Sequence, residues 1–119
     1  MTKKLKSLKE LRKLAWKTFS IYVRQRDMGI CFTCGKRDNW KSMQAGHLFH
    51  RDCLDYDEKN INCQCVRCNH YLSGNLQEYT YRFIKKYGEK EYLRLKRESH
   101  QVRRFKRQEL LDIITKYEM

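Results

Sequence analysis

The segments Cys31-Phe-Thr-Cys34 and Cys65-Val-Arg-Cys68 are two cysteine pairs of the same form, separated by thirty residues. A two-residue spacer lets both thiolates of a pair reach one ion, and zinc prefers four such ligands in a tetrahedral arrangement. We therefore predict a structural zinc ion held by Cys31, Cys34, Cys65 and Cys68. The residues between the pairs would form a loop closed at its base, and its length suggests a function of its own. Two unrelated pairs of buried thiols, or a redox pair, are the alternatives.

Two further cysteines, Cys53 and Cys63, lie outside this pattern. Cys63 precedes Cys65 by two residues and would point to the same face of a strand. A role as an alternative metal ligand is therefore open for Cys63, and ordinary packing is the simpler interpretation for both.

Composition and charge indicate one small domain that binds a polyanion. The chain has 119 residues, of which 40% are hydrophobic and 34% charged, so we expect a single domain over 1–119 with a modest core that a metal would help to stabilise. Lys and Arg number 27 against 14 Asp and Glu, and the net charge of +13 points to nucleic acid. No apolar run approaches the roughly 20 residues that cross a bilayer. We therefore predict a cytoplasmic protein with no membrane partner.

Hydrophobic periodicity predicts an α+β domain in which helices flank a small core. Ser7 and Glu10 form a capping-box pattern at the start of the first helix. The predicted elements are a helical arm over about 7–27, a core over about 30–75 and C-terminal helices within about 76–118. The core would contain strands at 41–47 and 60–64 and a helix that begins near Cys68 and is interrupted or ended by Ser73-Gly74-Asn75. The C-terminal helices would lie at 76–87, 89–98 and 108–118, with a loop or helix start at 99–107.

One histidine and two asparagines are placed where a nuclease would need them. A nuclease requires a group that accepts a proton from water, and histidine has an ordinary pKa of about 6.5, near working pH. It also requires a divalent cation to neutralise the phosphate. Asn60 follows His47 by 13 residues, and Asn69 follows Asn60 by 9, which suits a hairpin of strand, loop, strand and helix. The alternatives are a structural histidine and asparagines that cap turns.

The spacing of these three residues among the four cysteines resembles that of an HNH (His-Me finger, ββα-metal) endonuclease. The three residues are His47, Asn60 and Asn69. The sequence is more closely similar to the phage NinG (Rap) recombination endonucleases, over about residues 15–118. The resemblance implies an α+β fold in which a small zinc-stapled ββα-metal core is flanked by α-helices. The segments that carry it are Arg24 to Asp27, Ala45-Gly46-His47, Asp57 to Ile61, Gln64 to Asn69 and Ser73-Gly74-Asn75.

The resemblance also implies a metal-dependent endonuclease that cuts branched recombination intermediates, such as Holliday junctions and D-loops, in the cytoplasm of a phage-infected host. By position, His47 would be the general base, and Asn60 would brace the loop and orient His47. Asn69, on the next helix, would bind the catalytic Mg²⁺ or Mn²⁺. Gly46 departs from the pattern, because many HNH enzymes carry a metal-binding Asp, Glu or His there. The missing ligand would then come from His47 itself, or from His50, Asp55, Asp57 or His70.

Basic clusters in the C-terminal half are the predicted contacts to DNA phosphates, with a solvated surface as the alternative. No base-reading module with its own recognition helix is evident, which favours recognition of the backbone shape. The polar face of the first helix, including Arg24 and Arg26, is either solvated or in contact with phosphate. The predicted phosphate contacts are Lys85, Lys86, Arg94, Lys96, Arg97, Arg103, Arg104, Lys106 and Arg107.

The expected partners are branched DNA, a second copy of the chain, and a single-strand-binding or recombination protein. Symmetric cleavage of a four-way junction requires two active sites, so we expect a homodimer, with the apolar stripe of the first or last helix as its interface. Two other classes of protein remain open: a non-enzymatic zinc-finger DNA-binding protein and an RNA-binding zinc protein.

Overall fold

Helix α1, Leu8–Arg26, provides one side of the main core. The structure is a computed structural model that describes residues 5–118. The Ser7 hydroxyl oxygen accepts a hydrogen bond of 3.1 Å from the amide of Glu10, which confirms the predicted start of this helix. The buried residues of α1 follow the predicted three- and four-residue steps: Leu11, Ala15, Phe19 and Val23.

Two short antiparallel strands pack against α1. Strand β1 is Gln44–His47 and strand β2 is Ile61–Gln64, with His47 opposite Ile61. The strand predicted at 41–47 therefore begins later, because residues 40–42 form a turn of 3-10 helix. The side chain of Asn39 accepts a hydrogen bond from the Lys41 amide and satisfies the backbone locally. The strand predicted at 60–64 is confirmed within one residue.

The segment after the second cysteine pair is a five-residue π-helical turn, Arg67–Tyr71. The turn is followed by Ser73, Gly74 and Asn75, whose φ angles are 50°, 93° and 49°. Three successive positive φ angles redirect the chain, and no helix continues through them. The helix predicted to begin near Cys68 is therefore this short π-helical turn, the predicted break at Ser73-Gly74-Asn75 is confirmed, and an α-helix follows at Leu76.

Three helices complete the chain as the periodicity predicts. They are α2, Leu76–Tyr87, α3, Glu89–Glu98, and α4, Arg107–Tyr117. Gly88, with a φ of 92°, separates α2 from α3. Residues 101–106 have no regular structure, so most of the segment 99–107 is a loop, which was one of its two predicted alternatives. No helix within residues 5–118 is both long enough and apolar enough to cross a bilayer.

Helices α1 and α4 pack on each other. Leu11 and Ala15 of α1 contact Leu110 and Ile114 of α4, and all four side chains are buried. Most of the apolar stripe of each helix is thus covered within the chain, while Leu8 and Leu111 remain exposed. The buried part of these stripes is unavailable as the dimer interface predicted from the sequence, and the homodimer itself stays a prediction.

A second core joins the loop after β1 to helices α2 and α3. Tyr79 is fully buried in it, and its hydroxyl donates a hydrogen bond of 2.9 Å to the Gly46 carbonyl. The same hydroxyl accepts a hydrogen bond of 2.9 Å from Asn62 Nδ2. Burial raises the pKa of Tyr79, so the hydroxyl remains a donor. Tyr79 therefore ties α2 to both strands beside His47.

Candidate metal centre and histidine site

The four paired cysteines lie together, with their Sγ atoms all within 4.8 Å of one another. Thiolates about 2.3 Å from a tetrahedral zinc ion lie about 3.8 Å apart. The Sγ atoms of Cys34 and Cys65 are 3.7 Å apart, and none of these cysteines forms a disulfide. This cluster can bind a structural metal such as zinc. It meets the geometric requirement of the site predicted from Cys31, Cys34, Cys65 and Cys68.

The surroundings of the first cysteine pair shift the pKa values of its two thiols in opposite directions. Burial opposes ionisation of Cys31, but hydrogen bonds from the Thr33 hydroxyl and from backbone amides outweigh it and lower the pKa of Cys31 to about 6. Burial raises the pKa of Cys34 to about 12, and the sulfurs of Cys31 and Cys65 add to this rise. A divalent cation would compensate the repulsion among four thiolates, so metal binding and ionisation of the cluster are coupled.

The two remaining cysteines lie outside the metal cluster. Cys63 is fully buried, its amide donates a hydrogen bond of 2.9 Å to Asp27, and burial raises the pKa of its thiol to about 12. The Cys53 thiol donates to the Glu98 carbonyl at 3.3 Å. Both cysteines therefore pack inside the fold, as the simpler interpretation predicts. Within residues 5–118, the metal-binding group does not include Cys63.

His47 ends strand β1 and is held on three sides. Its Nε2 lies 2.9 Å from Asp55 Oδ1, and its ring stacks on Trp16 and His50 with centroid distances of 5.0 and 4.8 Å. An ionised carboxylate only accepts hydrogen bonds, so Nε2 donates to Asp55 and Nδ1 of the neutral ring keeps its lone pair. The side chain is 15% exposed. His47 is therefore oriented, and it retains contact with solvent.

Two surface cavities of about 370 and 420 Å³ adjoin this histidine. His50 lines the first, while Trp16 and Asp55 line the second. Burial lowers the pKa of His50, and the neighbouring His47 ring lowers it further. The mixture of carboxylates and arginines suits a phosphate accompanied by a cation. Three residues line both cavities: Asp52, Arg103 and Arg104.

Asn60 braces the loop that follows β1, as the resemblance implies. Its Oδ1 accepts a hydrogen bond from the Phe49 amide at 2.9 Å, and its Nδ2 donates to the carbonyls of Phe49 and Leu54 at 3.1 and 3.2 Å. Both donors and one lone pair of this fully buried amide are thus used by the loop. The side chain that hydrogen-bonds to the His47 ring is Asp55, and the orienting role of Asn60 stays a prediction.

Asn69 lies in the π-helical turn and not on the α-helix that the resemblance implies. Its Nδ2 donates a hydrogen bond of 2.7 Å to Gln44 Oε1 on strand β1. Its Oδ1 faces Gly46, because a Cβ built on Gly46 would lie 2.9 Å from this oxygen. Asn69 is therefore beside β1, one residue from the base predicted at His47.

Gly46 is explained by close packing. A Cβ at this position would lie 1.7 Å from Gln64 Oε1. That oxygen is buried and has no hydrogen-bond partner within the described residues, and a Cα hydrogen of Gly46 facing it would provide a weak C–H···O contact. The position leaves no room for the Asp, Glu or His that many HNH enzymes carry.

Replacing Gly46 with alanine is expected to lower the free energy of unfolding by about 1–3 kcal/mol, because the methyl group must displace the buried Gln64 amide. Chemical denaturation with zinc present would measure the change. The Q64A substitution removes the amide group that the new methyl group would displace. Adding G46A to the Q64A variant should therefore cost less stability than adding it to the wild-type protein. An equal loss in both backgrounds would contradict the packing explanation.

Protein ligands for a second, catalytic cation are few. Among the His, Cys, Asp and Glu side chains of the described range, the four cysteines are the one group of three or more close enough to share an ion. Asp57 is unsuited to be the missing ligand, since it accepts from the amides of Lys59 and Asn60 and pairs with Arg94. His70 is exposed at the edge of the Tyr71 ring.

Arg94 is an exception among the predicted phosphate contacts. Its half-buried guanidinium pairs with Asp57, Glu91 and Glu98 at 3.2, 2.8 and 2.7 Å. Three carboxylates already offset its charge, so the predicted DNA contact at Arg94 is corrected to a structural role. The remaining predicted contacts are exposed, although Arg103 also pairs with Glu109 and Arg107 donates to the Lys6 carbonyl. These exposed residues are Lys85, Lys86, Lys96, Arg97, Arg103, Arg104, Lys106 and Arg107.

Two basic residues of α1 also have structural roles. Arg24 donates to the carbonyls of Ser20, Trp40 and Met43. Arg26 pairs with Asp27 at 2.8 Å and donates to backbone carbonyls at Glu58 and Ile61. The Arg24 guanidinium thus binds the segment before β1, and the Arg26 guanidinium binds the segment before β2 and the first residue of β2. Both groups therefore join α1 to the core.

The described residues define a small α+β protein with a two-stranded sheet, a four-cysteine cluster that can bind a metal, and a His–Asp pair at the end of one strand. A family model described as Bacteriophage Lambda NinG protein matches residues 1–119. The chain belongs to this family, which confirms that part of the resemblance.

Curated relatives agree with this assignment. Protein ninG of Escherichia phage 933W is 35% identical over 81 residues, which cover 65% of this chain and 40% of the relative. Protein ninG of Salmonella phage P22 is 35% identical over 80 residues, with coverages of 64% and 39%. Protein ninG of Escherichia phage lambda is 33% identical over 81 residues, with coverages of 65% and 39%. The match thus spans about two fifths of each relative. No solved structure matches the chain.

Proposed function

We propose that this protein is a metal-dependent, structure-specific endonuclease of the HNH (His-Me finger) type that cuts branched DNA, such as Holliday junctions and D-loops. The observation that carries the proposal is the His47–Asp55 pair, at 2.9 Å, beside cavities lined by Arg103 and Arg104. The net charge of +13 supports a polyanionic substrate.

In the proposed reaction, Nδ1 of His47 accepts a proton from the attacking water. The water oxygen bonds to phosphorus, and the bond from phosphorus to the leaving oxygen breaks. Asp55 holds the ring through Nε2 and stabilises the imidazolium that forms. Trp16 and His50 contact the ring by stacking, which keeps Nδ1 in place between turnovers.

A divalent cation, Mg²⁺ or Mn²⁺, would neutralise the phosphate and the leaving oxygen when bound. Asn69 is the proposed protein ligand through Oδ1, and His47 is the alternative ligand if another group accepts the proton. The zinc-bound cysteines would fix the loop that carries His47. Arg103, Arg104 and the other exposed basic residues would hold neighbouring phosphates.

The proposed partners follow from the same reaction. Symmetric cutting of a four-way junction requires two sites, so a homodimer is proposed at a surface other than the buried stripes of α1 and α4. A single-strand-binding or recombination protein would bring the enzyme to its substrate. The proposed location is the cytoplasm of the infected host.

A nicking assay tests the proposed function directly. The zinc-loaded protein should nick a labelled four-way junction when Mg²⁺ is added, and should nick a linear duplex of the same sequence far more slowly, because unpaired or bent strands at a branch are easier to place in the site. Denaturing gel electrophoresis measures both products. Junction binding without nicking at any Mg²⁺ or Mn²⁺ concentration would favour the non-enzymatic zinc-finger alternative.

A further inference from the structure

A second surface combines aromatic rings with basic groups, away from the residues that surround His47. It is a cavity of about 360 Å³ lined by Phe32, Tyr81, Arg82, Lys85 and Lys86. Tyr81 is 60% exposed, an unusual exposure for a large aromatic side chain. We call this surface the aromatic cavity.

The zinc cluster and α2 together build the aromatic cavity. Phe32 lies between the metal ligands Cys31 and Cys34, and its amide donates a hydrogen bond of 2.8 Å to the Cys63 carbonyl. Its ring contacts buried Tyr79, with a centroid distance of 5.1 Å. The Phe32 ring therefore packs against the core through Tyr79, and another side of the same ring lines the aromatic cavity.

Cations already lie over the rings of this cavity. Lys86 Nζ is 5.7 Å from the centroid of the Phe32 ring, and Lys85 Nζ is 6.0 Å from that of Tyr81. Lys85 follows Tyr81 by one helical turn, so the ring and the ammonium group lie on the same face of α2. Arg82 pairs with Glu78 at 2.9 Å. The two lysines have no carboxylate partner within the described residues, so the cavity carries uncompensated positive charge.

We propose that the aromatic cavity binds an unpaired nucleotide of the DNA substrate, with the base stacked on Tyr81 and the flanking phosphates bound by Lys85 and Lys86. Exposed aromatic side chains stack on bases of any identity, and lysines beside them attract the backbone. Bases in a continuous duplex have their faces covered by their neighbours. The cavity therefore selects strands that are open, as they are at a branch or in a D-loop.

This inference rests on the proposed action on DNA and adds a physical basis for its preference for branched structures. It requires binding only and no cleavage. The proposed binding in the aromatic cavity can therefore be wrong even if the protein is a nuclease, and it can be correct even if the protein is not an enzyme.

The test compares two exposed tyrosines in a His47→Ala background without added divalent cation, so that any proposed cutting of the DNA is suppressed during the binding measurement. Tyr81→Ala should weaken binding of a labelled single-stranded oligonucleotide by about 5- to 100-fold, because one stacking contact is lost. Tyr81→Phe should retain the affinity, since the ring is kept. The matched control is Tyr71→Ala, because Tyr71 is 74% exposed but lines none of the cavities described here. Fluorescence anisotropy measures each affinity.

A flush-ended duplex provides the second comparison. Its affinity should change by less than about twofold in Tyr81→Ala, because every base face except those of the two terminal base pairs is covered by a neighbouring base. Equal losses for Tyr81→Ala and Tyr71→Ala, an unchanged affinity for the single strand, or an equal loss for strand and duplex would each overturn the proposal. Replacing Lys85 with Gln should also reduce the slope of log affinity against log salt by about 0.7 for the single strand.

Discussion

Removing the metal from the four-cysteine cluster is expected to abolish cooperative folding. Both strands of the sheet lie in the chain between the two cysteine pairs, so a metal bound by the four cysteines would close the loop that contains β1, β2 and His47. Structural zinc supplies about 10–16 kcal/mol of apparent binding free energy, whereas a whole small domain is stable by about 5–15 kcal/mol. Loss of the ion therefore removes an amount comparable to the total stability.

Circular dichroism during thermal unfolding would measure this effect, with the bound zinc counted by atomic absorption. A strong chelator, or the substitution Cys65→Ser, should abolish the cooperative transition, and the untreated protein should carry one zinc per chain. Cys53→Ser is the matched control, because this thiol lies outside the cluster and should leave a cooperative transition and full zinc content. A chelated protein that melts at the same temperature would contradict the structural role.

Replacing His47 with alanine is expected to lower the rate of junction nicking by about 10²–10⁴-fold, the usual contribution of a general base. Binding of the junction should be unchanged, because the role proposed for the ring is proton transfer, and the phosphate contacts are proposed for exposed arginines and lysines elsewhere. Single-turnover nicking measures the rate, and gel-shift titration measures the binding.

Two companion variants separate catalysis from structure. His70→Ala is the matched control, since His70 is exposed in the π-helical turn and should keep the wild-type rate. Asp55→Asn should give a loss intermediate between those of the wild type and His47→Ala, because the amide can still reach Nε2 but no longer stabilises an imidazolium. Full activity of His47→Ala would refute its role as the base.

Local patterns in the chain accounted for most of the secondary structure. The starts and ends of α1, α2 and α3 follow from apolar steps, from the cap at Ser7 and from the break at Gly88, all of which involve neighbouring residues. The π-helical turn at 67–71 was harder to foresee. The length of this turn depends on the backbone geometry after Cys65 and on the three consecutive positive φ angles that follow it. Of the three residues with these angles, Ser73 and Asn75 are not glycines, so their sequence alone does not require a positive φ.

The roles of charged side chains were less predictable than the helices. Arg94 and Lys96 lie two residues apart in one basic run, yet Arg94 pairs with three carboxylates and Lys96 is exposed. Two of its partners are on its own helix, but Asp57 comes from the loop before β2. A count of basic residues cannot show which of them are neutralised by distant acids.

The sequence by itself determined the metal cluster and the family. Two identical short spacings predicted the cysteine cluster, and the family model matches residues 1–119 of the sequence. Only the tertiary structure decided which groups surround His47. Trp16 comes from α1 and Asp55 from a turn after β1, and Gly46 is required by an amide oxygen on the opposite strand. Such contacts arise from packing between distant segments, whose distances and orientations leave no local periodicity in the chain.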